Sequence, residues 1–150
     1  MGRKGFTIIE LILVIVIIGI IAAMGIPRYN KAVTTAREKE IVNALKMLHA
    51  ASEQYLARTG DYYQTSKPLS GLDTINNKIG ADITIDPDVT FEYNRIQPFS
   101  VHQYTITADY HNKYNNTSST IMVDALPLSD SGTTPNPYCS IGPCLTVLSR

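Results

Sequence analysis

One carboxylate lies within the longest apolar stretch of the sequence. Glu10 is the only ionisable side chain between Phe6 and Ile26 in this 150-residue chain. A charged side chain at the centre of a membrane helix costs about 2.5–3.5 kcal/mol on insertion scales and usually marks function. The chemistry expected of Glu10 is therefore pairing with a cation. Because Glu10 lies near the start of the stretch, a second interpretation stays open, in which it reaches the lipid headgroups without a specific partner.

The other residues capable of chemistry are scattered along the chain. The three histidines are scattered, one on a predicted helix, one in a strand and one near a turn: His49, His102 and His111. No serine–histidine–aspartate pattern, cysteine–histidine pattern or phosphate-binding glycine loop is present. A loose acidic run lacks the spacing of a calcium-binding EF-hand: Asp82, Asp86, Asp88 and Glu92. We predict no catalytic residue, metal or cofactor, and the zero net charge favours no nucleic-acid partner.

The element that positions Glu10 has the length of a membrane span. Residues 6–26 form a stretch of 21 residues, about 31 Å long as a helix, which matches the ~30 Å hydrocarbon core. A secretory signal peptide is the competing interpretation, with Arg3 and Lys4 as its basic start and Ala23-Met24-Gly25 as its cleavage region. A signal core is only about 7–15 residues long and has no role for an acid. A retained membrane anchor is therefore favoured.

Helical periodicity continues after Pro27, where the pattern becomes amphipathic. Apolar side chains recur at spacings of three, four and seven: Val33, Ala36, Ile41, Ala44, Leu45, Leu48, Ala51 and Tyr55. Polar side chains occupy the opposite face: Lys39, Glu40, Asn43, Lys46 and Glu53. Gly60 is a typical C-terminal stop. The pattern predicts one helix over residues 6–58, and two helices broken at Pro27 are the alternative.

Alternation of apolar and polar residues predicts a small antiparallel sheet in the second half of the chain. Residues 61–87 are rich in turn formers and predict a loop with a short helix. Three strands follow, centred on residues 89–93, 104–110 and 121–123. Turns at 94–100 and 112–119 make neighbouring strands antiparallel, and residues 145–148 give a fourth strand. The predicted fold class is α+β, with the long N-terminal helix packed on this sheet.

The residues around Glu10 form a motif that resembles a type IV prepilin, the precursor of a type IV filament subunit. The run Gly5-Phe6-Thr7-Ile8-Ile9-Glu10 follows a short basic leader and opens the unbroken apolar stretch. Glu10 is fifth in the chain that begins at Phe6, Gly19 lies within the stretch, and Pro27 lies at its end. The resemblance covers roughly the first 55 residues, and the remainder matches the family only in its plan.

The resemblance implies how the chain is processed and placed. A membrane prepilin peptidase would cut between Gly5 and Phe6 on the cytoplasmic side and methylate the new amine of Phe6. The implied domains are a leader (1–5), a transmembrane and filament-core helix (6–27) and a globular pilin domain (28–150). The precursor would cross the inner membrane once, and the filament would be extracellular or periplasmic. More basic residues follow the apolar stretch than precede it, contrary to a simple positive-inside count.

The resemblance also implies roles for three residues of the helix. In the family, the acid at the position of Glu10 meets the N-terminal amine of a neighbouring subunit and sets the register of assembly. The amine of Phe6 would be cationic, and the positive end of the helix dipole lies at the same place. Gly19 and Pro27 would bound a weak section that loses helical structure on assembly. An ordinary kink at Pro27 is the alternative.

The two cysteines, Cys139 and Cys144, allow a disulfide, a metal site or two free thiols. A zinc site needs about four ligands, and the histidine nearest in sequence is His111. The Gly142-Pro143 turn and the oxidising compartment of an exported domain favour the disulfide. Many type IV pilins similarly bridge a C-terminal segment.

The predicted function is that of a structural subunit and not an enzyme. The subunit would polymerise with identical or related pilin subunits, helped by the inner-membrane assembly machinery, for surface attachment, twitching motility or DNA uptake. A major pseudopilin of a type II secretion system is the alternative within this class. An alternative of another class is a monomeric binding domain, membrane-anchored or secreted, with Tyr62, Tyr63 and Tyr138 as the nearest approach to a ligand site.

Mass spectrometry of the mature N terminus tests the anchor and its processing. We expect the chain isolated from its native host to begin at Phe6 with a methylated amine, because cleavage would follow Gly5. A chain that begins near Ile26 would contradict this prediction and would support removal of a signal peptide.

Overall fold

The computed structural model describes residues 7–85, 88–95, 104–112, 117–125, 137–142 and 144. The elements in chain order are α1 (Ile8–Thr59), β1 (Leu69–Ser70), α2 (Leu72–Ile79), β2 (Val89–Arg95), β3 (Tyr104–Asn112), β4 (Thr117–Asp124) and β5 (Tyr138–Ile141). The chain divides into two compact units, Met1–Thr34 and Thr35–Arg150.

The described part of the first unit is the first half of α1. The helix continues without interruption through Gly19 and Pro27, so one long helix is confirmed and a break at Pro27 is not observed. The large apolar side chains of residues 8–26 are 47–79% exposed. Among the described residues, α1 is the one helix with the length and composition to cross a membrane. The described chain does not bury this apolar surface, and exposed apolar patches of this size are typical of membrane or protein contacts.

The second unit contains a five-stranded antiparallel sheet in the order β1-β2-β3-β4-β5. Consecutive strands are neighbours, as expected when turns join antiparallel strands. The register aligns Phe91, Ala108 and Ile121 across the three central strands, and all three side chains are buried. Alternate residues face the opposite side and are more exposed. One face of the sheet is therefore apolar and requires a cover.

The second half of α1 covers the apolar face of the sheet. Ile41, Leu45 and Leu48 are fully buried in one cluster with residues of the three central strands. Ile75 and Ile79 of α2 join the same cluster. The predicted packing of an amphipathic half-helix on a sheet is confirmed.

One residue of the predicted apolar face lies elsewhere. Ala36 is exposed, whereas Ile41 is fully buried. Five residues separate the two, which places Ala36 about 140° around the helix from Ile41 at 3.6 residues per turn. The small apolar side chain misled the assignment because alanine is tolerated on either face.

Two buried polar contacts add to this packing. The hydroxyl of Tyr110 on β3 donates to Oε1 of Glu38 on α1 at 2.5 Å, and both side chains are buried. Burial raises the pKa of Tyr110, so its hydroxyl remains a donor at neutral pH. Arg95 on β2 is fully buried, and its Nη2 lies 3.1 Å from each carboxylate oxygen of Asp61. These contacts connect segments far apart in sequence and hold α1 and the following loop against the sheet.

The strands are longer and more numerous than predicted. β2 continues to Arg95, β3 continues to Asn112 and β4 begins at Thr117, so both predicted turns are too wide. These ends are rich in Ser, Thr and Asn, which hid the alternation. β1 and β5 were not predicted, because strands of two and four residues are too short to show an alternation of apolar and polar side chains. α2 confirms the short helix, and the predicted strand at 145–148 lies outside the described residues.

A disulfide between Cys139 and Cys144 closes the end of β5, as predicted. β5 pairs with β4 through Cys139 opposite Ile121, with a register shift next to this pair. Gly142 follows β5 with φ +85°, and a Cβ atom there would lie 2.4 Å from the backbone oxygen of Ser118. The turn inside the disulfide therefore presses directly on the backbone of β4.

Replacement of Gly142 tests this close approach, with Gly60 as the matched control. Gly60 has nearly the same φ, +84°, but a Cβ there would meet no atom within 4 Å. We expect Gly60→Ala to cost about 1–2 kcal/mol from left-handed backbone strain alone. Gly142→Ala should cost more, because the clash with Ser118 adds about 1–3 kcal/mol of overpacking. Denaturant unfolding of the detergent-solubilised chain, followed by near-ultraviolet circular dichroism, measures both, and equal losses would contradict the contact.

Candidate functional site

The start of α1 is closed by reciprocal hydrogen bonds between Thr7 and Glu10. The Thr7 backbone N–H donates to Glu10 Oε2 at 2.8 Å, and the Thr7 hydroxyl donates to the same oxygen at 2.9 Å. The Glu10 backbone N–H donates to Thr7 Oγ1 at 3.4 Å. Thr7 is thus the N-cap and Glu10 the third residue of the helix, which is the arrangement of a capping box.

The capping box gives Glu10 a role within its own chain. A side-chain cap of this kind contributes about 0.5–2 kcal/mol to helix stability, and the carboxylate also faces the positive end of the helix dipole. Sequence reasoning missed this role, although the spacing of Thr7 and Glu10 is the known signal for it. Glu10 therefore has a partner within its own chain.

The cap engages only half of the Glu10 carboxylate. Both hydrogen bonds to the side chain go to Oε2, and Oε1 takes no part in the cap. The Glu10 side chain is exposed in the described chain. The cap therefore holds the carboxylate in a fixed place at the start of the helix and leaves its second oxygen able to accept from an outside donor.

The structure does not test the predicted roles of the other residues of the N-terminal region. Gly5 and Phe6 lie outside the described residues, so cleavage and methylation stay predictions. Gly19 is helical, and a Cβ there would meet no atom within 4 Å, so no described neighbour requires a glycine. Pro27 has no N–H, so the carbonyl of Ala23 lacks its helical donor. Loss of helix between Gly19 and Pro27 on assembly stays a prediction.

The three tyrosines considered for a ligand site are buried or half-buried: Tyr62, Tyr63 and Tyr138. Tyr62 and Tyr138 are buried, and their hydroxyls donate to Glu53 at 2.6 Å and to Asp124 at 2.7 Å. The ring of Tyr62 packs edge-on against Tyr104 with centroids 4.7 Å apart. Burial, with the hydrogen bond to Glu53, raises the pKa of Tyr62. The only sequence feature that favoured a monomeric binding domain is therefore part of the core and its border.

Metal binding has no visible basis in the part of the chain that the structure describes. No group of three or more His, Cys, Asp or Glu side chains there could hold an ion. The structure brings together two pairs of residues that bear on function. Thr7 is hydrogen-bonded to Glu10, and Cys139 forms a disulfide with Cys144.

Comparison with known proteins identifies a family motif in the same N-terminal region. Residues 1–26 match the family model of the prokaryotic N-terminal methylation motif. The chain is 31% identical over 78 residues to the type IV major pilin protein PilA of Myxococcus xanthus, a match that covers 52% of this chain and 36% of that relative. It is 34% identical over 76 residues to the fimbrial protein EcpC of Eikenella corrodens, covering 51% and 50%. It is 37% identical over 54 residues to the type IV major fimbrial protein FimA of Dichelobacter nodosus, covering 36% and 35%.

These matches span a third to a half of the relatives' own lengths. No solved structure matches the chain significantly. The fold described above, a long N-terminal helix followed by an antiparallel sheet, agrees with the family suggested by the matches. Over about a third to a half of its length, the chain is therefore similar to type IV pilins and fimbrial proteins.

Proposed function

We propose that this protein is the structural subunit of a type IV pilus and that it polymerises through the first half of α1. The observation that carries the proposal is the exposure of every apolar side chain from residue 8 to residue 26. Transfer of such surface from water contributes about 25 cal/mol per Å². Before assembly, the lipid of the inner membrane covers this surface, and in the filament other copies of the helix cover it.

Processing by a prepilin peptidase is part of the proposal. The match of residues 1–26 to the methylation motif supports cleavage between Gly5 and Phe6 and methylation of the Phe6 amine. Cleavage leaves that amine one residue before the N-cap Thr7. A cation is thereby created at the end of the helix where Glu10 lies. The further partners are identical or related subunits and the inner-membrane assembly machinery.

Glu10 has two compatible roles in this account. Oε2 caps the helix of its own subunit through Thr7, and Oε1 accepts from the Phe6 amine of a neighbouring subunit. The cap fixes the position of the carboxylate before the neighbour arrives, so little side-chain freedom is lost on pairing. Neutralisation by the amine also lowers the cost of the charge among apolar helices. The pair sets the register of neighbouring helices.

Two substitutions separate the cap from the charge. Glu10→Gln preserves the capping box, because glutamine also serves at that position, but removes the charge that pairs with the amine. Thr7→Val removes the hydroxyl contacts and retains the charge. A hydrogen bond to a charged group contributes about 1.5–3 kcal/mol, and about 1.4 kcal/mol corresponds to a factor of ten. We therefore expect Glu10→Gln to lower the filament yield at least about tenfold and Thr7→Val to retain most of the yield.

The measurement is the amount of chain in filaments sheared from the cell surface, relative to total cellular chain. Amide exchange at Leu11, whose N–H donates to the Thr7 carbonyl, serves as the control for the cap in detergent micelles. Thr7→Val should speed this exchange, and Glu10→Gln should not. Full assembly of Glu10→Gln together with failure of Thr7→Val would assign Glu10 to the cap alone.

Gly19→Ala tests whether the helix must loosen during assembly. Alanine is about 1 kcal/mol more favourable than glycine within a helix, and its Cβ would clash with no described atom. We expect the membrane-stored subunit to be unchanged in amount and to show slower amide exchange over residues 19–27, while the filament yield falls. Unchanged assembly in spite of the slower exchange would contradict a required loss of helix.

A further inference from the structure

Exposed basic side chains lie immediately after the apolar stretch of α1. Arg28 and Lys31 are exposed, and Tyr29 between them is 65% exposed. We refer to Arg28, Tyr29 and Lys31 as the basic collar. No acidic residue occurs between Glu10 and Glu38 in the sequence, and no ion pair to Arg28 or Lys31 occurs among the described residues. The collar is therefore a local positive charge without a nearby carboxylate along the helix.

The geometry of α1 places the collar at a membrane surface. Residues 8–26 are about 28 Å long at ~1.5 Å per residue, close to the thickness of the hydrocarbon core. The Cα atoms of Arg28 and Lys31 then lie about 3 Å and 7.5 Å beyond Ile26 along the axis. Helical side chains lean toward the N-terminus, so both cationic groups lean back toward the bilayer. Arg28 and Lys31 are three residues apart and share one face of the helix.

We propose that the basic collar binds the headgroups of anionic phospholipids on the outer side of the membrane while the subunit is stored there. The proposal rests on the proposed function, because it needs residues 8–26 to span the bilayer with Pro27 on the outer side. Arg28 offers a guanidinium fork that fits a phosphate, and Lys31 adds a second charge on the same face. Tyr29 is the aromatic type that is enriched at membrane interfaces. Zwitterionic lipids fit less well, because their own cationic group offsets the phosphate charge.

The collar explains an anomaly of the charge distribution. Basic residues at the outer end of a span oppose the usual positive-inside preference. Anionic headgroups give these cations a favourable partner, worth about a fivefold preference per basic residue at ~1 kcal/mol each. Two residues then give about a 30-fold preference for anionic over neutral lipid at this site. The subunit must then release these lipids when it leaves the membrane and enters a filament.

A lipid-quenching experiment tests the proposal on the mature full-length chain in vesicles. A fluorophore is attached at Met24→Cys, which lies on the face shared by Arg28 and Lys31, and the native cysteines are joined in a disulfide. The vesicles contain phosphatidylcholine with a small fraction of brominated lipid, either phosphatidylglycerol or phosphatidylcholine. We expect brominated phosphatidylglycerol to quench the fluorophore at a several-fold lower lipid fraction than brominated phosphatidylcholine does. Half-molar salt should reduce this difference, because the charges are exposed.

Matched variants assign the effect to the collar. Arg28→Gln with Lys31→Gln should abolish the preference for phosphatidylglycerol. Lys39→Gln with Lys46→Gln, which changes two exposed lysines farther along α1, should leave it intact. Equal quenching by the two lipids, or a preference that survives loss of Arg28 and Lys31, would overturn the proposal.

A second probe separates failure of this inference from failure of the proposed function. A fluorophore at Ile17→Cys, in the middle of the apolar stretch, should be quenched by bromines at the ends of the acyl chains. Quenching there with no lipid preference at Met24→Cys would overturn the collar alone. Absence of quenching at Ile17→Cys would show that α1 does not span the bilayer and would overturn both proposals.

Discussion

The organisation of this protein depends on one physical constraint, the apolar surface of residues 8–26 that the described chain leaves uncovered. A continuous α-helix satisfies its own backbone hydrogen bonds, so the stretch can lie in lipid without unpaired polar groups. The same surface can pack against other helices with little change in environment, since lipid tails and apolar side chains are similar. In the function proposed above, storage in a membrane and assembly into a filament are thus two ways to cover one surface.

Glu10 is the point at which this constraint meets a charge. A carboxylate among apolar side chains is unfavourable unless its oxygens have donors. The capping box supplies donors for Oε2 from Thr7 in the same chain, which lowers the cost before any partner is present. The remaining oxygen gives the helix start a directional acceptor. In the proposed filament, one atom can therefore give assembly its specificity, while the apolar surface contributes van der Waals packing between helices.

Much of the fold was predictable from local sequence pattern. The extent of α1, the α+β class, the three central strands and the disulfide were predicted because each leaves a regular or recognisable signal over neighbouring residues. The contacts of Tyr110 with Glu38 and of Arg95 with Asp61 join residues 72 and 34 positions apart, and no local pattern encodes such pairs. The capping box differs, because its signal was local and complete.

Electron microscopy of filaments sheared from cells that express this chain tests the central claim most directly. We expect filaments built from this chain, in which residues 8–26 of each copy are buried against the same residues of neighbouring copies. A surface fraction that lacks such filaments, while the processed chain remains monomeric in the membrane, would contradict it.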